Sequence, residues 1–212
     1  MRRDDALKVI LSTKIVAVIR MSDSARLLRV AEALSDGGIR ALEVTMTTPG
    51  ALEAIATLGG TKPADVLIGA GTVLDAGTAQ AAIRSGAEFV VSPITDFETI
   101  RVCRENGVLV IPGAMTPTEV VTAWNRGADI VKVFPASSVG PQFFREIKGP
   151  LPGIRLMPTG GVSAENARAF LEAGACAIAV GTAILDKKAI EAGDWGILVG
   201  KARALVDSLR GG

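Results

Sequence analysis

Residues 130–135 read IVKVFP, a short run of apolar and β-branched residues that is typical of a buried strand. Seven similar runs recur roughly every 20 to 27 residues, and the segments between them carry helix start and stop signals. These runs are 14–20 (KIVAVIR), 41–46 (ALEVTM), 66–73 (VLIGAGTV), 89–93 (FVVSP), 108–113 (VLVIPG), 154–161 (IRLMPTGG) and 177–184 (AIAVGTAI). Strands that alternate with helices predict an α/β fold with a parallel sheet.

Eight strands, each followed by a helix, predict a closed (β/α)8 barrel, or TIM barrel, formed by residues 1–212 as a single domain. A chain of 212 residues is long enough to bury a substantial core within one domain. An open doubly wound sheet is the alternative, although the dinucleotide-binding fingerprint of that fold does not follow the first predicted strand.

Capping patterns predict where three of the helices begin. Beyond residue 184, the sequence also predicts two helical pieces that are broken at residues 193–194. The predicted helix starts are Ser22 before a helix over residues 24–35, Thr95 with Glu98, and Thr116 with Glu119, where Pro117 takes the first helical position.

The composition limits the chemistry that the chain can perform. It contains no histidine and no tyrosine, which excludes Ser-His-Asp triads, imidazole metal ligands and phenol acids. Cys103 and Cys176 lie in apolar patterns without partners at metal-ligand spacing, so we expect buried apolar residues rather than a disulfide or a metal site. Catalysis must therefore use Lys, Asp, Glu, Ser, Thr or Cys.

The charge distribution favours a small molecule as the ligand. The formal net charge is +1 and charges of both signs are interspersed, so we expect no nucleic-acid-binding face. The N-terminal segment lacks the apolar core of a signal peptide, and the apolar runs are too short to span a membrane. We therefore expect a cytoplasmic location.

Three charged residues interrupt the predicted strands. Arg20 ends the first strand, Glu43 lies within the second and Lys132 lies within the sixth. Strands of a parallel barrel are buried on both faces, so a charge inside one of them needs a specific reason. Barrel active sites are built at the C-terminal ends of the strands, and Arg20 and Lys132 lie at or near such ends, with Glu43 somewhat deeper.

A buried lysine is a candidate nucleophile. Burial disfavours the ammonium, so we expect the pKa of Lys132 to fall below its ordinary value of about 10.4. The neutral amine can attack a carbonyl and form an iminium, which is an electron sink for breaking a carbon–carbon bond. Glu43 is the intrastrand carboxylate available for the accompanying proton transfers. The structural alternative is that Lys132 and Glu43 simply form a buried ion pair.

Glycine residues at two strand ends predict a phosphate site. Gly160 and Gly161 close the seventh predicted strand, and Gly181 with Thr182 closes the eighth. Barrel enzymes commonly hold a phosphate on the loops after these two strands, by means of glycine amides and a helix N-terminus. A phosphorylated substrate is therefore expected, although tight turns also use glycine for steric reasons alone.

A pocket for the keto acid is predicted nearby. The GAGT sequence of residues 69–72 can bring backbone amides and the Thr72 hydroxyl to a carboxylate or a ketone oxygen. Pro93 and Phe134 are candidates for an apolar wall against a pyruvyl methyl group, and either can equally be ordinary core.

Five segments, taken in this order, resemble the bacterial 2-keto-3-deoxy-6-phosphogluconate aldolases, some of which also cleave 4-hydroxy-2-oxoglutarate. The resemblance covers nearly the whole chain and implies an eightfold barrel, a Schiff-base mechanism without cofactor or metal, and a homotrimer. The segments are GGIRALEVTMTTPGALEAI (37–55), IGAGTVLDAGTAQAAIRSGAEFVVSP (68–93), VIPGAMTPTEV (110–120), DIVKVFPASSVGPQFFREIKGP (129–150) and MPTGGVSAENARAFLEAGACAIAVG (157–181).

The resemblance also implies individual roles. The family's Schiff-base lysine, in its K-x-F-P motif, corresponds to Lys132, and its proton-shuttling glutamate, in the L-E-V-T motif, corresponds to Glu43. The remaining correspondences are Thr72 and Pro93 in the pyruvate pocket, Phe134 as the aromatic lid, Gly160 and Gly161 as phosphate ligands, and Thr182 in place of a phosphate-contacting serine.

One position departs from the family pattern. Many members have an arginine shortly after L-E-V-T that binds the keto-acid carboxylate, whereas this chain has Thr47. We hypothesise that Arg20, on the neighbouring strand, supplies the missing cation, because guanidinium and carboxylate groups pair well in bidentate geometry. The same departure occurs in related aldolases of the galactonate series, so the preferred sugar epimer stays open.

The predicted function is cleavage of 2-keto-3-deoxy-6-phosphogluconate to pyruvate and glyceraldehyde 3-phosphate. A second enzymatic interpretation keeps the Schiff base but uses the galactonate epimer or 4-hydroxy-2-oxoglutarate. Since fold does not imply function, two further interpretations remain. They are a non-catalytic phosphate-ligand-binding barrel and a phosphosugar isomerase in which Glu43 is the base and Lys132 its electrostatic partner.

Overall fold

The computed structural model describes residues 2–22 and 24–210. In this part of the chain the strands are β1 (Ile15–Ile19), β2 (Ala41–Thr45), β3 (Leu67–Gly71), β4 (Phe89–Val91), β5 (Leu109–Ile111), β6 (Gly113–Ala114), β7 (Val131–Val133), β8 (Leu156–Pro158) and β9 (Ile178–Val180). The helices are α1 (Arg3–Thr13), α2 (Leu27–Asp36), α3 (Ala51–Thr61), α4 (Ala76–Arg84), α5 (Phe97–Glu105), α6 (Pro117–Asn125), α7 (Gly140–Lys148), α8 (Ala167–Glu172), α9 (Lys187–Ala192) and α10 (Trp195–Arg210). A 3-10 turn, Ala136–Ser138, follows β7.

All strand pairs are parallel, as the alternation of strands and helices predicts. One sheet has the order β5-β4-β3-β2-β1-β9 and the other has the order β6-β7-β8. Strands β1 to β5 follow one another in sequence order, without the reversal that characterises a doubly wound sheet. The α/β fold with a curled parallel sheet is therefore confirmed.

The fifth predicted strand changes sheet at Pro112. It is divided into β5, which pairs with β4, and β6, which pairs with β7. Proline has no backbone N–H to donate, but its carbonyl accepts the N–H of Lys132 at 2.8 Å. The two sheets meet a second time where β8 lies beside β9. There a parallel bridge joins Thr159 to Ala179, and the N–H of Cys176 donates to the carbonyl of Leu156 at 2.9 Å.

The strands contribute to two apolar clusters because alternate residues point to opposite faces. The larger cluster fills the layer between the strands and the surrounding helices and contains the fully buried Cys103. Cys176 was also predicted to be buried but is only partly so. The second cluster fills the concave side of the sheets, with buried members Ala6, Ile10, Val16, Ala41, Leu67, Phe89, Val91, Leu109, Ile111, Ile130, Met157, Ala177 and Ala179.

Helix α1, which the sequence analysis did not predict, covers one end of this interior. Its buried residues Ala6 and Ile10 belong to the interior cluster. At its start, the guanidinium of Arg3 donates from Nε to the carboxylate of Asp129 at 2.8 Å. Asp129 is fully buried and also accepts the N–H of Val110 at 2.9 Å. Because α1 leads directly into β1, it closes the N-terminal ends of the strands.

One of the three predicted helix starts is confirmed. Thr116 and Glu119 form the reciprocal capping box, with Pro117 at the first helical position of α6. The prediction for Ser22 is wrong, because residues 24–26 form a turn and α2 begins only at Leu27, without a side-chain cap.

The predicted capping box of Thr95 and Glu98 is also wrong. Asp96 caps α5 by accepting the N–H of Thr99 at 2.7 Å. The hydroxyl of Thr95 instead donates to the carbonyl of Gly113 at 2.8 Å, so a long-range contact uses the group that the local pattern assigned to the cap.

Apart from the fifth, the predicted strands extend further than the observed ones at their C-terminal ends, where the chain turns into loops. The predicted break in the last helical segment is confirmed, since α9 ends before Gly193 and α10 starts at Trp195. None of the helices within residues 2–22 and 24–210 is both long and apolar enough to cross a membrane.

The contact between Arg3 and Asp129 makes a prediction about stability. We expect Arg3→Ala to lower the free energy of unfolding by about 1 to 3 kcal/mol, because it leaves a buried carboxylate without its charged partner. Urea unfolding measures this loss. The control is Arg2→Ala, which removes an exposed pair with Asp5 at 3.4 Å and should cost less than about 0.5 kcal/mol. Equal losses in the two variants would contradict the role assigned to Arg3.

Candidate active site

The charged residues predicted from the strands converge at the open end of the interior. Lys132 is the middle residue of β7, and Glu43 is the middle residue of β2. Lys132 is 5% exposed and Glu43 is 1% exposed. Ile130 belongs to the interior cluster, so alternation along the strand places Lys132 on the same concave side.

Burial dominates the electrostatics of Glu43. Its carboxylate has a pKa raised above the ordinary value by burial, and the positive charges of Lys132 and Arg20 oppose that rise. Its Oε2 atom is buried and has no hydrogen-bond partner among the described residues. A carboxyl group in this environment is suited to taking up a proton and releasing it again.

Lys132 shows the opposite shift. Burial lowers the pKa of its ammonium, the charge of Glu43 raises it, and the charge of Arg20 lowers it further. The Nζ atom lies 4.9 Å from the centre of the Phe134 ring. Within residues 2–22 and 24–210, Lys132 and Glu43 form no direct ion pair, and the Glu43 Oε2 atom has no hydrogen-bond partner, so the simple ion-pair interpretation does not describe their geometry.

Arg20 and Thr72 meet at the rim of the site. Arg20 follows β1 and is exposed, and its Nη2 atom lies 3.5 Å from the Thr72 hydroxyl. Thr72 has a φ of 58°, in the left-handed region that β-branched residues rarely adopt. Such strain is often found where a side chain is held for a function. Thr47 is exposed, and its hydroxyl lies 3.1 Å from that of Thr45 on its own chain segment.

Pro93 and Phe134 border a cavity that neither Lys132 nor Glu43 lines. Pro93 is partly buried, whereas Phe134 is 38% exposed and is therefore not ordinary core. The cavity has a volume of about 390 Å³ and is also lined by Thr95, Met115 and other residues that follow β4 and β6.

The predicted phosphate loop is ordered by contacts on both of its sides. Gly160 and Gly161 have φ values of 91° and 72°, which favour glycine. A Cβ atom on Gly161 would lie 2.7 Å from the Cβ of Ser137, so the loop packs closely on the 3-10 turn after β7. On the other side, the Asn166 amide donates to the Gly161 carbonyl at 2.8 Å. Gly181 and Thr182 follow β9 in the next turn, and Thr182 is exposed.

Comparison with known proteins places this geometry in a family. The profile described as "Aldolase: KDPG and KHG aldolase" matches residues 7–199. The chain belongs to this family. The resemblance seen in the sequence is therefore confirmed, and the chain is an aldolase, an enzyme that breaks and forms carbon–carbon bonds.

Individual relatives agree with this assignment. A 2-dehydro-3-deoxy-phosphogluconate aldolase from Pseudomonas aeruginosa is 39% identical over 183 residues, which cover 86% of this chain and 83% of that protein. The structure of a KDPG aldolase from Legionella pneumophila, with pyruvate captured as a covalent carbinolamine intermediate, has a TM-score of 0.87 at 31% identity and covers 94% of this chain and 97% of that chain. A structure named native KDPGal has a TM-score of 0.85 at 31% identity and covers 92% and 94% of the two chains.

Three contacts in the site of this aldolase were not predicted from the sequence. Gly71 lies against the Glu43 carboxylate, Asn166 holds the Gly161 carbonyl, and the ring of Phe89 fills the interior next to Gly69. The alternating glycines of residues 69–71 were a sequence signal for a close approach of side chains to this strand, but they do not identify the side chains.

The buried carboxylate of the aldolase makes a prediction about stability and pH. Because the pKa of Glu43 is raised in the folded chain, the folded state binds more protons than the unfolded state above the ordinary pKa of 4.5. The ionised carboxylate therefore destabilises the fold increasingly as the pH rises from 4.5 through the folded-state pKa. We expect Glu43→Gln to raise the free energy of unfolding at pH 7 by about 1 kcal/mol, and the gain to vanish near pH 4.

Urea unfolding at several pH values measures this gain. Glu172→Gln, at an exposed position, is the control and should change the free energy of unfolding by less than about 0.5 kcal/mol at every pH. A Glu43→Gln protein that is less stable than the parent at pH 7 would contradict the prediction.

Proposed function

We propose that this aldolase cleaves 2-keto-3-deoxy-6-phosphogluconate to pyruvate and glyceraldehyde 3-phosphate through a Schiff base on Lys132. The observation that carries the proposal is the buried amine, whose pKa is lowered and which lies at the open end of the strands near a buried carboxylate. A neutral amine in a largely apolar site is the form that attacks a ketone.

The first half of the reaction forms the iminium. The Lys132 Nζ atom attacks C2 of the keto acid and gives a carbinolamine. Glu43 assists the loss of the hydroxyl as water, which leaves a protonated iminium. Burial raises the pKa of Glu43, which favours its protonated form and so helps it to donate a proton at this step.

The second half breaks the bond between C3 and C4. Glu43, now ionised, removes the proton of the C4 hydroxyl while the bonding electrons of C3–C4 move into the iminium and form an enamine. Glyceraldehyde 3-phosphate leaves, the enamine is protonated at C3, and water hydrolyses the iminium to release pyruvate and Lys132. The apolar ring of Phe134 beside Nζ limits water until the aldehyde has left.

The substrate ends bind to opposite sides of Lys132 in this proposal. The carboxylate lies at Arg20 and Thr72, with Thr47 at the edge and the pyruvyl methylene against Pro93 and Phe134. The phosphate lies on the backbone of Gly160 and Gly161, with the turn at Gly181 and the Thr182 hydroxyl facing it. The left-handed glycines of the Gly160–Gly161 loop can offer N–H groups to the phosphate without side chains in the way.

A related substrate is the second candidate. The similarity to the structure named native KDPGal, together with Thr47 in place of the common arginine, favours the 6-phosphogalactonate epimer. The unphosphorylated 4-hydroxy-2-oxoglutarate is a third choice. Cleavage rates on the three substrates under the same conditions separate them.

The assembly of the chain is proposed on the same basis. We propose that the sheets close into a (β/α)8 barrel that makes residues 1–212 one domain, because hydrogen bonds cross both junctions, at Pro112 and between β8 and β9. We also propose the homotrimer that the family resemblance implies. Exposed Leu74, Ile94 and Phe97 offer apolar contact surface for it. The cytoplasmic location stays a prediction.

The Schiff base makes the first prediction about activity. Incubation with pyruvate and borohydride should attach a reduced pyruvate adduct to Lys132, because borohydride reduces an iminium to a stable secondary amine. Peptide mass spectrometry locates the adduct. Lys132→Arg should lose the adduct and about a thousandfold or more of kcat, whereas Lys187→Arg, at an exposed lysine, should keep both. A folded parent protein without an adduct would overturn the proposal.

The carboxylate site makes the next prediction. Arg20→Ala should weaken pyruvate binding about 10- to 100-fold, the usual loss for a charged hydrogen bond, while the adduct still forms at high pyruvate concentration. Thr47→Arg in the Arg20→Ala background should restore part of the affinity by returning a cation to the rim. Calorimetric titration with pyruvate measures both changes, with the exposed Arg26→Ala as the control. Unchanged affinity in Arg20→Ala would disprove this role.

A further inference from the structure

Gly71 ends β3 at the place where the side chain of Glu43 lies. A Cβ atom built on Gly71 would be 1.7 Å from Oε1, 2.3 Å from Cδ and 2.6 Å from Cγ of Glu43. No real Cβ contact is that short, so the carboxylate occupies the space that any side chain at position 71 would need.

The backbone of Gly71 gives no other reason for a glycine. Its φ is not among the left-handed values, whereas that of the next residue, Thr72, is 58°. Its carbonyl accepts the N–H of Met46 at 2.7 Å in a regular parallel ladder. Alanine would therefore fit the backbone, and the requirement for glycine at this position comes from the space that Glu43 takes.

The register shows the direction in which Glu43 leans. Glu43 is directly opposite Gly69 on β3, and Thr45 is opposite Gly71. The carboxylate therefore reaches from the level of Gly69 to that of Gly71, toward the open end of the strands. At the lower level, a Cβ atom on Gly69 would lie 2.5 Å from the ring of Phe89. The Phe89 ring thus occupies the space beside Gly69, and the Glu43 carboxylate occupies the space beside Gly71.

This inference rests on the proposed function. We propose that Gly71 is a positioning residue, whose missing side chain lets the Glu43 carboxylate lie against β3 and stay apart from Lys132, so that the substrate can react between them. The separation keeps the amine free to attack a ketone and keeps the carboxylate free to exchange a proton with the substrate.

A methyl group at position 71 would push the carboxylate off β3 into the interior, where β7 carries Lys132. The charged groups that face Lys132 are Glu43 from β2 and Arg20 from the end of β1. A closer carboxylate stabilises the ammonium, so the pKa of Lys132 should rise in Gly71→Ala. Less of the amine is then neutral at a given pH, and the iminium forms more slowly.

The test follows the pH dependence of pyruvate trapping at Lys132 with cyanoborohydride, quantified by peptide mass spectrometry. In Gly71→Ala we expect the acidic limb of the trapping rate to move upward by about one pH unit, and kcat for cleavage to fall about tenfold or more. In Gly71→Ala/Glu43→Gln the limb should return to the parent position or lie below it, because the displaced side chain has no charge. Gly60→Ala, where nothing lies within 4 Å, is the control. It should follow the parent.

A stability cycle keeps the test decisive if Gly71→Ala folds poorly. Unfolding is then compared in the parent, Glu43→Ala, Gly71→Ala and the double variant. Most of the loss caused by Gly71→Ala should disappear in the Glu43→Ala background, because the overlapping side chain is gone. An equal loss in both backgrounds would overturn the inference.

The outcomes separate this inference from the proposed function. If the parent protein forms no adduct at any pH, the Schiff-base mechanism fails. If the parent forms the adduct and folded Gly71→Ala has the same pH profile and the same kcat, the mechanism stands and the role of Gly71 is wrong. If the acidic limb of the trapping rate is shifted in Gly71→Ala and stays shifted in Gly71→Ala/Glu43→Gln, the role of Gly71 is also wrong, because the shift then has a cause other than the Glu43 carboxylate.

Discussion

Two opposite charges lie inside the curled sheet without touching each other, and much of the structure depends on this constraint. Burial destabilises both charges, which raises the pKa of Glu43 and lowers that of Lys132. A direct pair would compensate part of that cost, but it would also protonate the lysine and occupy the carboxylate. The described part of the chain keeps the two groups apart, at a cost in stability, and so retains both the proposed nucleophile and the proposed acid/base in one site.

The neighbouring elements maintain this separation by occupying space. Phe89 fills the interior beside Gly69, and Gly71 leaves room for the Glu43 carboxylate at the next level of the sheet. Helix α1 covers the N-terminal end of the strands, where the pair of Arg3 and Asp129 holds it. The interior is thus packed at one end and open at the other, and Lys132 and Glu43 lie at the boundary between an apolar core and the solvent.

The rim of the site depends more on loops than on strands. Thr72 is held in a left-handed conformation next to Arg20, and the Gly160–Gly161 loop is fixed by Asn166 and by the turn that contains Ser137. These groups carry the proposed carboxylate and phosphate contacts. The proposed substrate contacts at the rim thus depend on loop conformation, whereas Lys132 and Glu43 are fixed by the strands.

The sequence by itself determined the parallel α/β fold, the family and the two interior charges. Periodicity along a strand is local, so IVKVFP and ALEVTM were enough to place Lys132 and Glu43 among buried neighbours, and the absence of histidine and tyrosine restricted the chemistry further. Helix ends were less predictable. Thr116 forms its predicted capping box. The Thr95 hydroxyl, however, donates to the carbonyl of Gly113, and Asp96 caps the helix instead.

The tertiary structure alone decided the separation of Lys132 from Glu43, the need for glycine at position 71, the covering helix α1 and the meeting of Arg20 with Thr72. The physical reason is that these features depend on distances between residues far apart in the chain. Such distances follow from strand register, sheet curvature and competition for hydrogen-bond partners, whereas a sequence pattern reports only which face of its own element a residue occupies.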